Sequence, residues 1–177
     1  MMKSIFFILM LTAFFNSVDS QVSISTSYCG HPPFQVYQDA LLQFDNKGNF
    51  SQGKVFGQTP FSVYGYKEPV LVDPGSIVIL TNYMASVCPP KSMPNMDAGY
   101  IYECTIAMPY SFFAVAHKRQ INFPAHTVLF FGLNTSKYGK KSLVAFAQLP
   151  AAGIDVDGKH YIGWVTFEED GSILRTN

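Results

Sequence analysis

Three cysteines, four histidines and seven methionines carry the soft-ligand, redox and near-neutral acid–base chemistry of this 177-residue chain. They are densest in the stretch SVCPPKSMPNMDAGYIYEC, Ser86 to Cys104, where two cysteines bracket three prolines and the pair Met93 and Met96. Thiolates and thioethers converging there would suit copper(I). No histidine lies between Tyr83 and Phe113, however, and the CxxC or HxxxH spacing of structural zinc is absent. The stretch therefore reads as a closed loop with no metal and no cofactor. Cys88 and Cys104 enclose 15 residues, and a disulfide between them is expected. In the chain-entropy picture it contributes about 3 kcal/mol. Pro89, Pro90 and Pro94 exclude a helix from the first half of the loop. Cys29 is then the odd thiol, either free or bonded to a second copy in a homodimer. Spacing does not fix connectivity, so pairing of Cys29 with Cys88 or with Cys104 stays open.

The histidines are His31, His117, His126 and His160. His117 and His126 flank KRQINFPA, and adjacent antiparallel strands would bring the two imidazoles together to relay protons or bind a metal. No carboxylate follows at ligand spacing, so both read as loop-end residues. No GxSxG, HExxH, P-loop or GxGxxG is present, and no catalytic residue is assigned. A hydrolase using His117 or His126 with Asp155 or Asp157 ranks third among the functions considered. DVDGKH and DNKGN share the alternating oxygens of calcium loops, but without the bidentate Glu they read as turns.

Aromatic side chains are the more promising chemistry. Of 27, four fall in the first 20 residues and 23 remain, many in short runs such as PYSFF and LFFG. Exposed rings mark contacts with proteins, sugars or apolar ligands. Between Tyr83 and Phe113 only Lys91, Asp97 and Glu103 are charged, the depletion typical of an interface core. The expected contact surface is therefore residues 86–113, with Met93, Met96, Tyr100, Tyr102 and Tyr110 as its principal side chains.

The elements that must hold these residues are strands. VSISTSY alternates at period two, DNKGN and DPG are turn signals between extended runs, and YIGWVTFEEDGSILR reads as a hairpin around EDG. YIYECTIAM, SFFAVAH, HTVLFFGLN and SLVAFAQL continue the series. Only FQVYQDALLQF has a helical alternative, and it lacks a cap. The expected fold is all-β, a single antiparallel β-sandwich of jelly-roll or Ig-like type, with a closed β-barrel as the alternative.

Residues 1–20 combine Lys3, an apolar run from Ile5 to Phe15 and small residues at Val18 and Ser20, the pattern of a secretory signal peptide. Residues 21–177 then form one domain. Its loss of Lys3 and Asp19 leaves 11 basic and 11 acidic residues, which gives no pull toward nucleic acid, and no second apolar run is long enough for a membrane span. The sequons at Asn49 and Asn134 fit export through a glycosylating compartment. The sequence thus points to a secreted, extracellular binding protein whose partner is a protein or a glycan. Carriage of a small apolar ligand inside the β framework is the second reading.

Overall fold

The computed structural model describes residues 22–80, 87–88, 100–113, 120–134, 141–167 and 173–176. Among these the chain forms fourteen strands and no helix. They are β1 (Ser23–Thr26), β2 (Phe34–Tyr37), β3 (Gln43–Phe44), β4 (Phe50–Lys54), β5 (Thr59–Phe61), β6 (Val70–Val72) and β7 (Ile77–Leu80). The second half supplies β8 (Ile101–Thr105), β9 (Tyr110–Phe113), β10 (Gln120–Phe123), β11 (Val128–Asn134), β12 (Lys141–Val156), β13 (Lys159–Phe167) and β14 (Ile173–Thr176). The helical alternative at FQVYQDALLQF is not taken. Phe34 to Tyr37 pair with β1, and the Leu41 N–H then donates to the Asp39 carboxylate at 2.9 Å in a side-chain-closed turn.

Eight strands form one antiparallel sheet in the order β14-β13-β12-β11-β8-β7-β4-β3, and the other six form three two-stranded ribbons, β1-β2, β5-β6 and β9-β10. The large sheet thus runs in chain order, interrupted by the β5-β6 and β9-β10 ribbons and preceded by β1-β2. Its end strands β3 and β14 are not neighbours, so the sheet does not close into a barrel. The ribbons lie over one face and the result is a sandwich.

Turn chemistry sets these reversals. Asp73-Pro74-Gly75 is a type II turn, with Gly75 at φ +76° and Ser76 N–H donating to the Asp73 carbonyl at 3.2 Å. It does not join neighbouring strands. It carries the chain from β6 in a ribbon to β7 in the large sheet. Asp157-Gly158 has both residues at positive φ, 54° and 73°, between the register partners Val156 and Lys159, which makes it the two-residue type I′ hairpin turn.

The core fills the space between sheet and ribbons. Phe50, Phe61, Phe112, Phe123 and Phe131 are fully buried, and burying such a side chain contributes about 1.5–3 kcal/mol. The rings touch across the layers. Phe112 of a ribbon meets Phe131 of the sheet edge-to-face at 5.0 Å, and Phe34 meets Phe50 in the same way at 5.1 Å.

Candidate functional site

The disulfide expected between Cys88 and Cys104 is not formed. Cys29 pairs with Cys88 instead, across a Cα separation of 5.2 Å. Cys104 points inward from β8 opposite Leu129 and is a wholly buried free thiol. Burial, and then the neighbouring Glu103 charge, raise its pKa and keep it a thiol. Cys29 reaches Cys88 because the chain after β1 turns through two left-handed residues, Cys29 at φ +47° and Gly30 at φ +77°. The covalent homodimer through Cys29 therefore falls as well, since its sulfur is used within the chain.

Asp45 organises the surroundings of this bond. Its carboxylate accepts from the backbone N–H groups of Lys47 (2.8 Å), Asn49 (2.9 Å) and Val87 (3.1 Å), and both oxygens accept from Asn49 Nδ2. Burial pushes the Asp45 carboxyl up, but these donors outweigh it and hold it well below the ordinary carboxylate range. Asn49 Oδ1 in turn accepts from the Cys29 N–H at 3.4 Å. The DNKGN hairpin is thus bonded to the neighbourhoods of both half-cystines.

Of the residues expected to make the contact surface, Met93 and Met96 lie outside the described residues. Tyr100 packs edge-on against Tyr64 at 5.1 Å. Tyr110 belongs to the ribbon layer, where it stacks on Phe112 and donates its hydroxyl to the Glu68 carbonyl at 2.8 Å. Tyr102 alone stands exposed on the large sheet. Asn134 is the last residue of β11, opposite Lys141.

A different aromatic group occupies the outer face of that sheet. Phe130, Phe146 and Trp164 come from the adjacent strands β11, β12 and β13, with ring centroids 5.9 Å (Phe130–Phe146) and 5.8 Å (Phe130–Trp164) apart. Trp164 is 44% exposed and Phe146 40%. Register extends the row, since Phe130 is opposite Glu103, Glu103 opposite Ile79, and Ile79 opposite Gln52. A parallel row places Trp164 opposite Gln148 and Gln148 opposite Val128. Ile162, 55% exposed, adds to the apolar surface two residues along β13 from Trp164. Burial among these neighbours raises the Glu103 carboxyl above its ordinary pKa.

His126 and His160 each lie against a different carboxylate. His126 Nδ1 lies 2.6 Å from the Asp73 carboxylate at the corner where the DPG turn meets the start of β11. His160 Nδ1 lies 2.9 Å from Asp155 across the β12–β13 hairpin. The expected partnership of His126 with Asp155 or Asp157 is therefore not the one formed, and His117 lies outside the described residues. Among the described residues no hydroxyl or thiol bonds to either imidazole, and no group of three or more His, Cys, Asp and Glu side chains is placed to hold a metal. An open cleft of about 590 Å³ between β10 and the bulged part of β12 is lined by Ile121, Ile154 and Val156 together with Gln120, Asn122 and Asp155. No helix among the described residues is long and apolar enough to cross a membrane.

Compared with known proteins, the chain matches no family model, no curated protein and no solved structure.

Chemically, the outer face offers a cluster of stacking surfaces with the polar side chains Glu103, Thr166 and Gln148 beside it. Alternation in β13 is its signal in the sequence, with Ile162, Trp164 and Thr166 on one face and Tyr161, Gly163, Val165 and Phe167 on the other. The β12 half is obscured by its bulge between Leu149 and Ile154.

Proposed function

We propose that this chain is a secreted binding protein whose contact surface is the outer face of the eight-stranded sheet, centred on Phe130, Phe146 and Trp164. One observation carries the proposal. Phe146 and Trp164 stay exposed to water on either side of a half-buried Phe130, although the ribbons cover the opposite face with comparable rings. Contiguous exposed apolar surface on a folded domain marks an interaction site. The signal-like segment 1–20 and an intrachain disulfide support export, because disulfides persist in oxidising compartments. Of the two sequons, Asn49 commits its side-chain amide to Asp45, which leaves Asn134 as the better glycan acceptor.

The test is retention of labelled protein on extracellular material from the organism that makes it. Wild type is expected to bind saturably. The double substitution Phe146→Glu and Trp164→Glu, both at exposed positions, should abolish retention. Met93→Ser with Met96→Ser should leave it intact. The reverse pattern would return the contact surface to residues 86–113 and sink this reading.

A further inference from the structure

We infer that the cleft between β10 and the bulged half of β12 takes an extended peptide segment of a partner protein, which adds to β10 as a further strand. This site is separate from the outer face. Three successive residues of β10, Gln120, Ile121 and Asn122, line the cleft, and so does every residue from 152 to 157. Successive strand residues point to opposite faces, so lining in unbroken runs means that both strands turn their edges to the cleft.

Both edges are open. Among the described residues β10 pairs only with β9, and β12 beyond Gln148 only with β13. The Phe113 N–H donates to the Tyr66 hydroxyl at 2.9 Å and not across the ribbon. Phe113–Gln120 and Ser111–Asn122 are therefore the unbonded pairs of this antiparallel ladder. Gln120 and Asn122 thus aim their main-chain N–H and C=O groups away from β9, toward the cleft. On the opposite wall the two-residue turn makes Val156–Lys159 a bonded pair. Asp155–His160 is then unbonded, and Asp155 aims its main-chain groups away from β13.

Main-chain groups that recur every second residue match the repeat of an extended chain, which is how peptides are captured at sheet edges. β10 holds no proline, charge or bulge, the devices that block such pairing. β12 closes the far side of the cleft, which admits a lone strand more readily than the ribbon of a second copy. Side chains then choose the sequence of the segment. Ile121, Ile154 and Val156 are buried and make an apolar floor, while Gln120, Asn122 and Asp155 stand exposed. The lining includes two aspartates, Asp155 and Asp157, and among the described residues no lysine or arginine. The segment therefore alternates apolar residues, set against the floor, with basic ones turned toward solvent.

The probe is a capped nonapeptide of alternating valine and lysine, titrated into the protein by calorimetry and by NMR. Saturable binding is expected, with shifts in the amide signals of β10. The same peptide with glutamate in place of lysine should bind at least about 10-fold more weakly. N-methylation of one alternate set of peptide residues should cost about 30-fold and of the other set far less, because a strand turns every second N–H to one edge. Asn122→Pro removes an N–H that β9 does not use and should cost about 10-fold, whereas Asn122→Ala keeps it and should cost under about 2-fold. A urea midpoint close to wild type checks that Asn122→Pro is folded, and if it is not, the N-methyl series decides alone. Tolerance of both N-methyl sets, or equal losses from the two Asn122 variants, overturns strand addition. Equal binding of the lysine and glutamate peptides overturns the basic segment. Dimers of the protein alone that Asn122→Pro dissolves would give the edge to a second copy instead.

Discussion

The two faces of the large sheet draw on the same strands and similar residues, yet one is finished and the other is not. On the inner face Leu129, Phe131, Val144 and Val165 are buried beneath the ribbons. On the outer face Phe130 touches both Phe146 and Trp164, and those two stand in water. Folding accounts for the first set, since each inner ring removes apolar area from water. It does not account for the second, whose exposed surface a polar residue would fill without loss of core. What stability leaves unexplained on the outer face is the part of the molecule to assign to binding.

The largest expected effect tests that contrast directly. Phe131→Ala should cost about 3–5 kcal/mol, because its ring is packed against Phe112 and would leave a cavity. Phe146→Ala should cost under about 1 kcal/mol, because the ring is 40% exposed and its removal opens no hole. Urea unfolding of both variants decides it. Equal costs would mean that the outer face is covered in solution, and the comparison would break.

Next comes the disulfide. Cys29 and Cys88 are 59 positions apart, so the constraint on the unfolded chain is larger than for the short loop first expected, about 4 kcal/mol in the chain-entropy picture. Replacing both by Ser should lower stability by that amount, whereas Cys104→Ala should retain the bond. Peptide mapping of the unreduced protein checks the connectivity, and a linked Cys88–Cys104 peptide would refute it.

Asp45 gives a smaller, pH-dependent effect. Its folded pKa is depressed by the surrounding N–H donors, so its contribution is present above the ordinary carboxylate pKa and lost as pH falls through the lower folded value. Asp45→Asn should cost about 2–3 kcal/mol at neutral pH, since the amide presents donors to donors. The difference from wild type should shrink on acidification below about pH 4. A gap independent of pH would assign the effect to packing.

How much of this was legible depends on the range of the forces involved. Turns are local, so DNKGN, DPG and DVDGKH declared themselves through the backbone preferences of Asp, Pro and Gly. Strands with one buried face were legible from alternation, and all-β architecture followed. The disulfide was not, because Cys29 meets Cys88 only after the β1–β2 turn has folded over the β3–β4 hairpin, a contact that sequence distance hides. The histidine pairs failed for the same reason, with Asp73 reaching His126 from 53 residues away. The binding face was half legible. Tyr102 was singled out and stands exposed, but the ring cluster needs β11, β12 and β13 in register, and the two bulges of β12 shift which side chains face out.

The smallest effect separates the faces most sharply. Glu103 sits among apolar neighbours, and burial raises its folded pKa. A raised carboxyl pKa means that the fold disfavours the charged form. The penalty is absent below the ordinary Glu pKa, where both states are protonated, and complete above the raised folded value. Glu103→Gln should therefore gain about 0.5 kcal/mol or less at neutral pH, discounted for its partial exposure, and nothing in acid. An inner-face residue could not behave this way, since there the residue that packs best also folds best. At Glu103 stability should rise slightly while affinity for the partner of the outer face falls, and that opposition is the mark of a residue kept for its partner. If stability and affinity move together in the variant, Glu103 belongs to the fold and the outer face loses its polar anchor.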